Sequence, residues 1–285
     1  MSPDRTPDRS AADRLCRQID ASPSPYHAVA TAVGALTDAG WTPFDPASPV
    51  DRAAPGAYIA RGGSLVAWRH RPGVPEGFRV VGAHTDSPNL RLSPNPDHRS
   101  AGWAQVNVEV YGGALWNSWL DRDLGISGRV VVTAGDDEPR TVHVRIDEPL
   151  LRIPQLAIHL DRDVNDKGLR LEPHQHLRPV WALAGENGDA PAILERVAEA
   201  GDVDPATIVS WDLMAHDTMP SRRIGDGGVF VSAPRLDNLC SSFAAVDALL
   251  AAGDEGRHWP VVCLYDHEEI GSTSTTGADG VLLAH

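Results

Sequence analysis

The 285-residue sequence holds only three cysteines, Cys16, Cys240 and Cys263. They are scattered, odd in number and without a CxxC spacing, which excludes a disulfide framework and a cysteine zinc site and fits a reducing compartment. Long apolar runs are missing too: no stretch approaches the roughly 18 residues that a membrane span needs. Met1 to Asp13 is polar and charged and carries no apolar segment of the secretory kind. Basic residues are in deficit, 25 Lys and Arg against 39 Asp and Glu, giving a formal net charge of -14. A surface of that sign repels nucleic acid. The expectation is a soluble cytoplasmic protein that binds neither nucleic acid nor membrane. Internal repeats and low-complexity tracts are absent. So are a Gly-x-Ser-x-Gly elbow, a Walker P-loop, a Gly-x-Gly-x-x-Gly turn after a strand and a His-Glu-x-x-His helix.

What is present is ample apolar material, 42% of residues with 8 Trp, enough for one large domain or two ordinary ones. Helices are predicted over Ala11–Ala21 and Tyr26–Ala39, separated by Ser22-Pro-Ser-Pro25, with Gly40 placed to end the second. Two strand-like runs follow, Ala57–His70 and Gly77–Ala83, split by Arg71-Pro-Gly-Val-Pro-Glu76. From about Pro94 to Asp226 short β-rich runs dominate, among them Val106–Tyr111, Gly128–Thr133 and Thr141–Ile146, with one helix at Pro191–Ala200. After Gly227-Gly228 come a short strand at Val229–Ala233, a helix at Asn238–Ala252 and a strand at Pro260–Tyr265. The pattern predicts an α/β domain of residues 1–93 plus 227–285, interrupted by a β-rich domain of residues 94–226.

Three polar clusters each follow a short apolar strand: His84-Thr-Asp86-Ser-Pro88, Arg235-Leu-Asp237-Asn238 and Asp266-His-Glu268-Glu269. Ligand sites in open α/β sheets lie beyond the carboxyl ends of the strands, so clusters distant in sequence can converge there. One His with several carboxylates and no thiolate suits a hydrolytic Zn, Mn or Co site. Taken singly, each has an ordinary alternative. His84 can ligate while Asp86 orients its ring, or the pair can be a solvated loop. Asp237 can bridge two ions, or merely be the first-turn acid of the following helix. Glu268 and Glu269 can be a solvated face. Alternatively, one binds metal while its neighbour takes a proton from the attacking water. His174-Gln-His176, flanked by prolines, reads as a plain loop.

At these residues the sequence resembles the M18 metalloaminopeptidases, the family of aspartyl aminopeptidase. The matching stretches are Ser22-Pro-Ser-Pro-Tyr-His27, Gly82-Ala-His-Thr-Asp-Ser-Pro88, Leu115-Trp-Asn-Ser-Trp-Leu-Asp-Arg-Asp-Leu124, Ile153-Pro-Gln-Leu-Ala-Ile-His159, Ser232-Ala-Pro-Arg-Leu-Asp-Asn238 and Asp266-His-Glu-Glu-Ile-Gly-Ser272. They occur in family order and span nearly the whole chain. The resemblance implies a zinc-exopeptidase-like three-layer catalytic domain interrupted by a β-rich dimerisation domain. It implies two zinc ions per subunit in the complete protein, with manganese or cobalt as alternatives. His84 would bind one ion, Glu269 the other, and Asp237 would bridge both. Glu268 would be the general base and Asp86 would stand behind His84. His159 would reach into a neighbouring subunit's substrate pocket, in a homo-oligomer that the family builds as a tetrahedral dodecamer. The Asp237-Asn238 peptide bond is expected to be cis. The implied activity is removal of N-terminal residues, preferably Asp or Glu, from peptides by metal-activated water.

The chain also departs from the family pattern. It ends on the apolar run Gly280-Val-Leu-Leu-Ala-His285, and C-terminal truncation is expected on that ground. Family members run on and supply a further Asp ligand, a further His ligand and part of the acidic-substrate pocket; His285 is not cast as that histidine. The 285-residue form is therefore expected to hold metal poorly and to be inactive. Two other readings stay open: a di-metal amidohydrolase acting on a non-peptide amide, and a non-catalytic assembly protein.

Overall fold

In the computed structural model, residues 9–45, 47, 48, 51, 53–73, 75–133, 138–185 and 189–283 are described. The residues before Arg9, and His285, lie outside that set. Helix α1 covers Arg9–Asp20 and α2 covers Pro25–Asp38. Ser24 caps α2 by accepting from the His27 N–H, and Pro25 occupies a first-turn position where no amide hydrogen is needed. Strands β1 (Thr42–Pro43), β2 (Gly56–Arg61), β3 (Ser64–Arg69) and β4 (Gly77–His84) follow. The single run expected over Ala57–His70 is thus a hairpin. Gly62, at φ 60°, supplies the turn, and Arg61 pairs with Ser64.

The chain divides into two compact units, residues 88–219 and the segments on either side of them. The β-rich unit, expected at 94–226, therefore starts and ends earlier, because strand pairing begins at Asn89. It contains β5 (Asn89–Ser100), β6 (Trp103–Tyr111), β7 (Asp123–Val132) and β8 (Arg140–Arg152). Next come the short helices α3 (Val164–Lys167) and α4 (Pro173–His176), β9 (Val180–Leu183), α5 (Ile193–Gly201) and β10 (Ile208–Asp217). The six strands close into a barrel in the order β10-β5-β6-β9-β8-β7. Alternate residues fill it, including Leu90, Val106, Leu124, Ile126, Val130, Val144, Ile146 and Leu213, and Ile193 and Val197 of α5 join this core. His174-Gln-His176 belongs to α4, where His176 Nδ1 accepts the Glu172 N–H at 2.8 Å.

The chain then returns to the first unit with β11 (Arg222–Ile224), β12 (Phe230–Ser232), α6 (Leu236–Ala251) and β13 (His258–Tyr265). Its main sheet has the order β1-β2-β3-β13-β4, with β13 antiparallel to β3 and parallel to β4. Val29, Ala32 and Leu36 of α2 and Ala245, Val246 and Leu249 of α6 pack against Tyr58, Leu65, Ala67, Val262 and Leu264 on one face. On the opposite face Val66, Val261 and Cys263 meet Leu282. The strand predicted at Val229–Ala233 does not join this sheet. As β12 it pairs, among the described residues, with β11 alone, three residues with three, so one of the three clusters follows a separate two-stranded sheet. No helix among the described residues is long and apolar enough to cross a membrane.

Candidate metal centre

Parallel pairing of β4 and β13 sets Tyr265 opposite His84, so the chain leaves both strands at the same end of the sheet. That end is where open α/β sheets collect ligands. His84 is 8% exposed. Its Nδ1 lies 3.0 Å from the Asp86 carbonyl oxygen and 3.3 Å from Asp86 Oδ1. Nε2 is turned to the other side, 3.2 Å from Asp237 Oδ1 and 3.7 Å from Glu268 Oε2. Burial works against charge on this ring. The hydrogen bonds to Asp86 and the charges of Asp86 and Glu268 outweigh it and raise the imidazole to about 9.

Asp86 is fully buried. Besides facing His84, its carboxylate accepts the Glu268 N–H at 3.2 Å and the Glu269 N–H at 3.1 Å. One buried acid thus ties the loop after β4 to the loop after β13. The second loop is shaped by His267, which adopts the left-handed conformation at φ 68° and directs the two glutamates back toward β4. Buried Asp266 holds His267 there, accepting its N–H at 2.9 Å. Ser64 Oγ accepts the Asp266 N–H and donates to the Thr276 carbonyl. Burial, joined by the charge of Asp86, raises the Glu269 carboxyl, while His84 opposes the shift.

Asp237 comes from the segment that opens α6. Arg235 is left-handed at φ 55°, and Asp237 and Asn238 keep non-helical angles, so regular helix in α6 starts at Leu239. The Asp237-Asn238 bond is cis. The Asp237 side chain is 83% exposed.

Ligand atoms of His84, Glu268 and Glu269 lie within 4.8 Å of one another. Tetrahedral zinc ligands at about 2 Å from the metal stand about 3.3 Å apart, so donors gathered this closely suit a metal centre. The fit extends to the surrounding contacts. A carboxylate behind Nδ1 leaves Nε2 as the ligating nitrogen, the usual arrangement for a metal histidine. His84, Asp86, Asp237, Glu268 and Glu269 are therefore gathered in one place within the first unit. His159 lies in the β-rich unit on an exposed stretch. Sequence reasoning named Arg235, Asp266, His267 and Ser87 only as members of the clusters, without the loop-shaping and bonding roles they have here, and missed Ser242 altogether. The signal for Asp266 was available: an acid ending an apolar strand needs a partner, and here the partners are adjacent backbone and serine groups.

Residues 18–285 match the sequence pattern of the family described as aminopeptidase I zinc metalloprotease (M18). A probable M18 family aminopeptidase 2 of Streptomyces avermitilis is 47% identical over 287 residues, 97% of this chain and 64% of the relative. The chain thus spans 64% of the length of that relative. Among solved structures, the complex of Ape4 and Nbr1 aligns with a TM-score of 0.90 at 32% identity, over 97% of this chain and 58% of that one. The yeast mApe1 dodecamer aligns with a TM-score of 0.79 at 26% identity, over 96% and 64% of the two chains. With the sequence match running from residue 18 to residue 285, the chain belongs to the aminopeptidase I zinc metalloprotease (M18) family.

Proposed function

We propose that the protein containing this chain is a zinc aminopeptidase that removes N-terminal residues from peptides, with preference for Asp and Glu. The observation that carries the reading is the convergence of His84, Asp237, Glu268 and Glu269 at the ends of β4 and β13, with Asp86 behind the histidine. In this reading His84 and Glu269 would each hold a zinc ion and Asp237 would serve both, with manganese or cobalt as substitutes. When bound, zinc polarises the scissile carbonyl and makes water a nucleophile at neutral pH. Glu268, half-exposed beside His84, takes the proton from water and passes it to the leaving amine. Asp86 fixes the ring of His84 and holds Glu268 and Glu269 through their backbone N–H groups. With Glu268 reserved as the base, three donors remain, fewer than two four-coordinate ions need, so residues 1–285 by themselves are expected to bind the pair weakly and turn over little.

Residues 88–219 are read as an inserted oligomerisation domain on a three-layer catalytic domain, and self-association toward a dodecamer, as in the yeast mApe1 structure, is part of the proposal. His159 is assigned to a neighbouring subunit's substrate pocket, and the location is cytoplasmic. The test uses the full-length protein with an aspartyl amide and its N-acetylated counterpart. Cleavage of the free-amine substrate alone is expected. Cleavage of both at similar rates would replace the aminopeptidase with an amidohydrolase, and cleavage of neither, without metal binding, would leave an assembly protein.

A further inference from the structure

We infer that Ser87 and Ser242 are positioning residues that fasten the two segments carrying His84 and Asp237 to each other. The inference rests on the metalloaminopeptidase reading and gives a task to two side chains that the reading leaves without one. Ser87 Oγ donates to the Asp237 carbonyl at 2.9 Å, and Ser242 Oγ donates to the His84 carbonyl at 2.7 Å. The arrangement is reciprocal. Each serine follows one metal donor closely in sequence and bonds to the backbone of the other. Both are buried, at 6% and 2% exposure, so water does not compete for the hydroxyls.

The two acceptors need such partners. Asp237 has φ -82° and ψ 111°, which turns its carbonyl away from the hydrogen-bond direction of α6. His84 is the last residue of β4, where ladder pairing ends. Carbonyls shielded from water and left without donors are costly, and each serine offers a single hydroxyl hydrogen that meets the need.

The consequence falls on the metal donors. The Asp237 carboxylate is 83% exposed, so side-chain packing does little to place it. Its position against His84 Nε2, 3.2 Å away, is inherited from the backbone on which it sits. Ser87 fixes that backbone at the aspartate, and Ser242 fixes α6 against the histidine. A shared ion tolerates errors of only about 0.5 Å in donor placement, so loosening either bond reaches the ion without touching a ligand atom.

The experiment compares Ser87→Ala, Ser242→Ala and the double variant in the full-length protein, with Ser241→Ala, an exposed neighbour on the same helix, as control. Zinc dissociation constants are taken from chelator competition and ligand geometry from the absorption spectrum of the cobalt-loaded protein, with circular dichroism reporting the fold. Each single buried-site variant is expected to bind zinc about tenfold more weakly and to change the cobalt spectrum. The double variant is expected to be little worse than either single one, since one broken bond already frees the pair. Ser241→Ala should match the parent. Unchanged zinc affinity and cobalt spectrum in both single variants, whatever happens to their melting temperatures, would overturn the inference and leave two ordinary packing bonds. Should an alanine variant fail to fold, Ser87→Cys and Ser242→Cys, close in volume but weak as donors, carry the same comparison. A parent protein that binds neither zinc nor cobalt would overturn the metallopeptidase reading, and that failure is distinguishable because the parent itself is then silent.

Discussion

His84 in the metal-free chain is held protonated by Asp86 and Glu268 up to a pH of about 9, although burial opposes the charge. Zinc needs the neutral ring, so metal binding at neutral pH must expel a proton. Calorimetry in buffers of different ionisation enthalpy should show proton release on zinc binding, and affinity should rise with pH until about 9. Pure dilution heats with no buffer dependence would count against this. The sign for stability is opposite. The folded value lies above the ordinary imidazole value of 6.5, so the contribution is complete below 6.5 and is lost as pH climbs through about 9. The metal-free protein should therefore melt progressively lower across that window, and His84→Gln should flatten this part of the profile. The glutamates divide by role. Glu268→Gln is expected to retain zinc and lose about 10²- to 10⁴-fold in turnover. Glu269→Gln should lose zinc first, and the reverse pattern would exchange the two assignments.

At the level of elements, the parts that can be read from sequence are those whose signals are local. Helix α2 announces itself through Ser24, Pro25 and Gly40, and β13 through its continuous apolar run. Helix α6 was legible too, but its start was not. The expected Asn238 is non-helical, as is Asp237 before it, and regular helix begins at Leu239 after the left-handed Arg235, which no propensity encodes. Strand β12 was legible as a strand, but its partner was not; pairing with β11 instead of the main sheet is a long-range choice. The candidate ligands were legible because a histidine and acids at strand ends are chemically conspicuous. The serines that hold them were not, since a hydroxyl bonded to a distant carbonyl leaves no spacing rule. The β2–β3 turn was overlooked although Gly62-Gly63 stood in plain view. Gly63 matters beyond the turn, for a Cβ there would overlap the Asp266 carboxylate and crowd Pro25. Thr85 Oγ1 also donates to the Gly63 carbonyl at 2.6 Å. Gly63→Ala is expected to destabilise the fold by about 2 kcal/mol and to disturb the loop that carries Glu268 and Glu269. Denaturant titration would measure it, and an unchanged midpoint would show that Asp266 can move aside.

For the whole molecule, the open question is what the β-rich unit does besides fold. Its strands form a closed barrel, so the surface it presents to another chain is made largely of side chains. The stretch around His159 offers them: Leu156, Ile158 and Leu160 are 62%, 45% and 74% exposed. Three large aliphatic side chains in five residues, held in water, mark a contact surface more readily than a solvent-facing turn does. Each recovers about 1.5 to 3 kcal/mol when buried, so together they can contribute materially to an interface. Charging them should break it. The variant carrying Leu156→Asp and Leu160→Asp is expected to shift the full-length protein to a smaller species by light scattering, with its circular dichroism unchanged, since neither residue belongs to the barrel core. His159→Ala separates the two roles assigned to this stretch. On the proposed assignment of His159 to a neighbour's pocket, it should leave the assembly mass intact yet lower turnover. An unaltered mass in the double aspartate variant would remove this stretch from the interface, and undiminished turnover in His159→Ala would remove the histidine from the pocket.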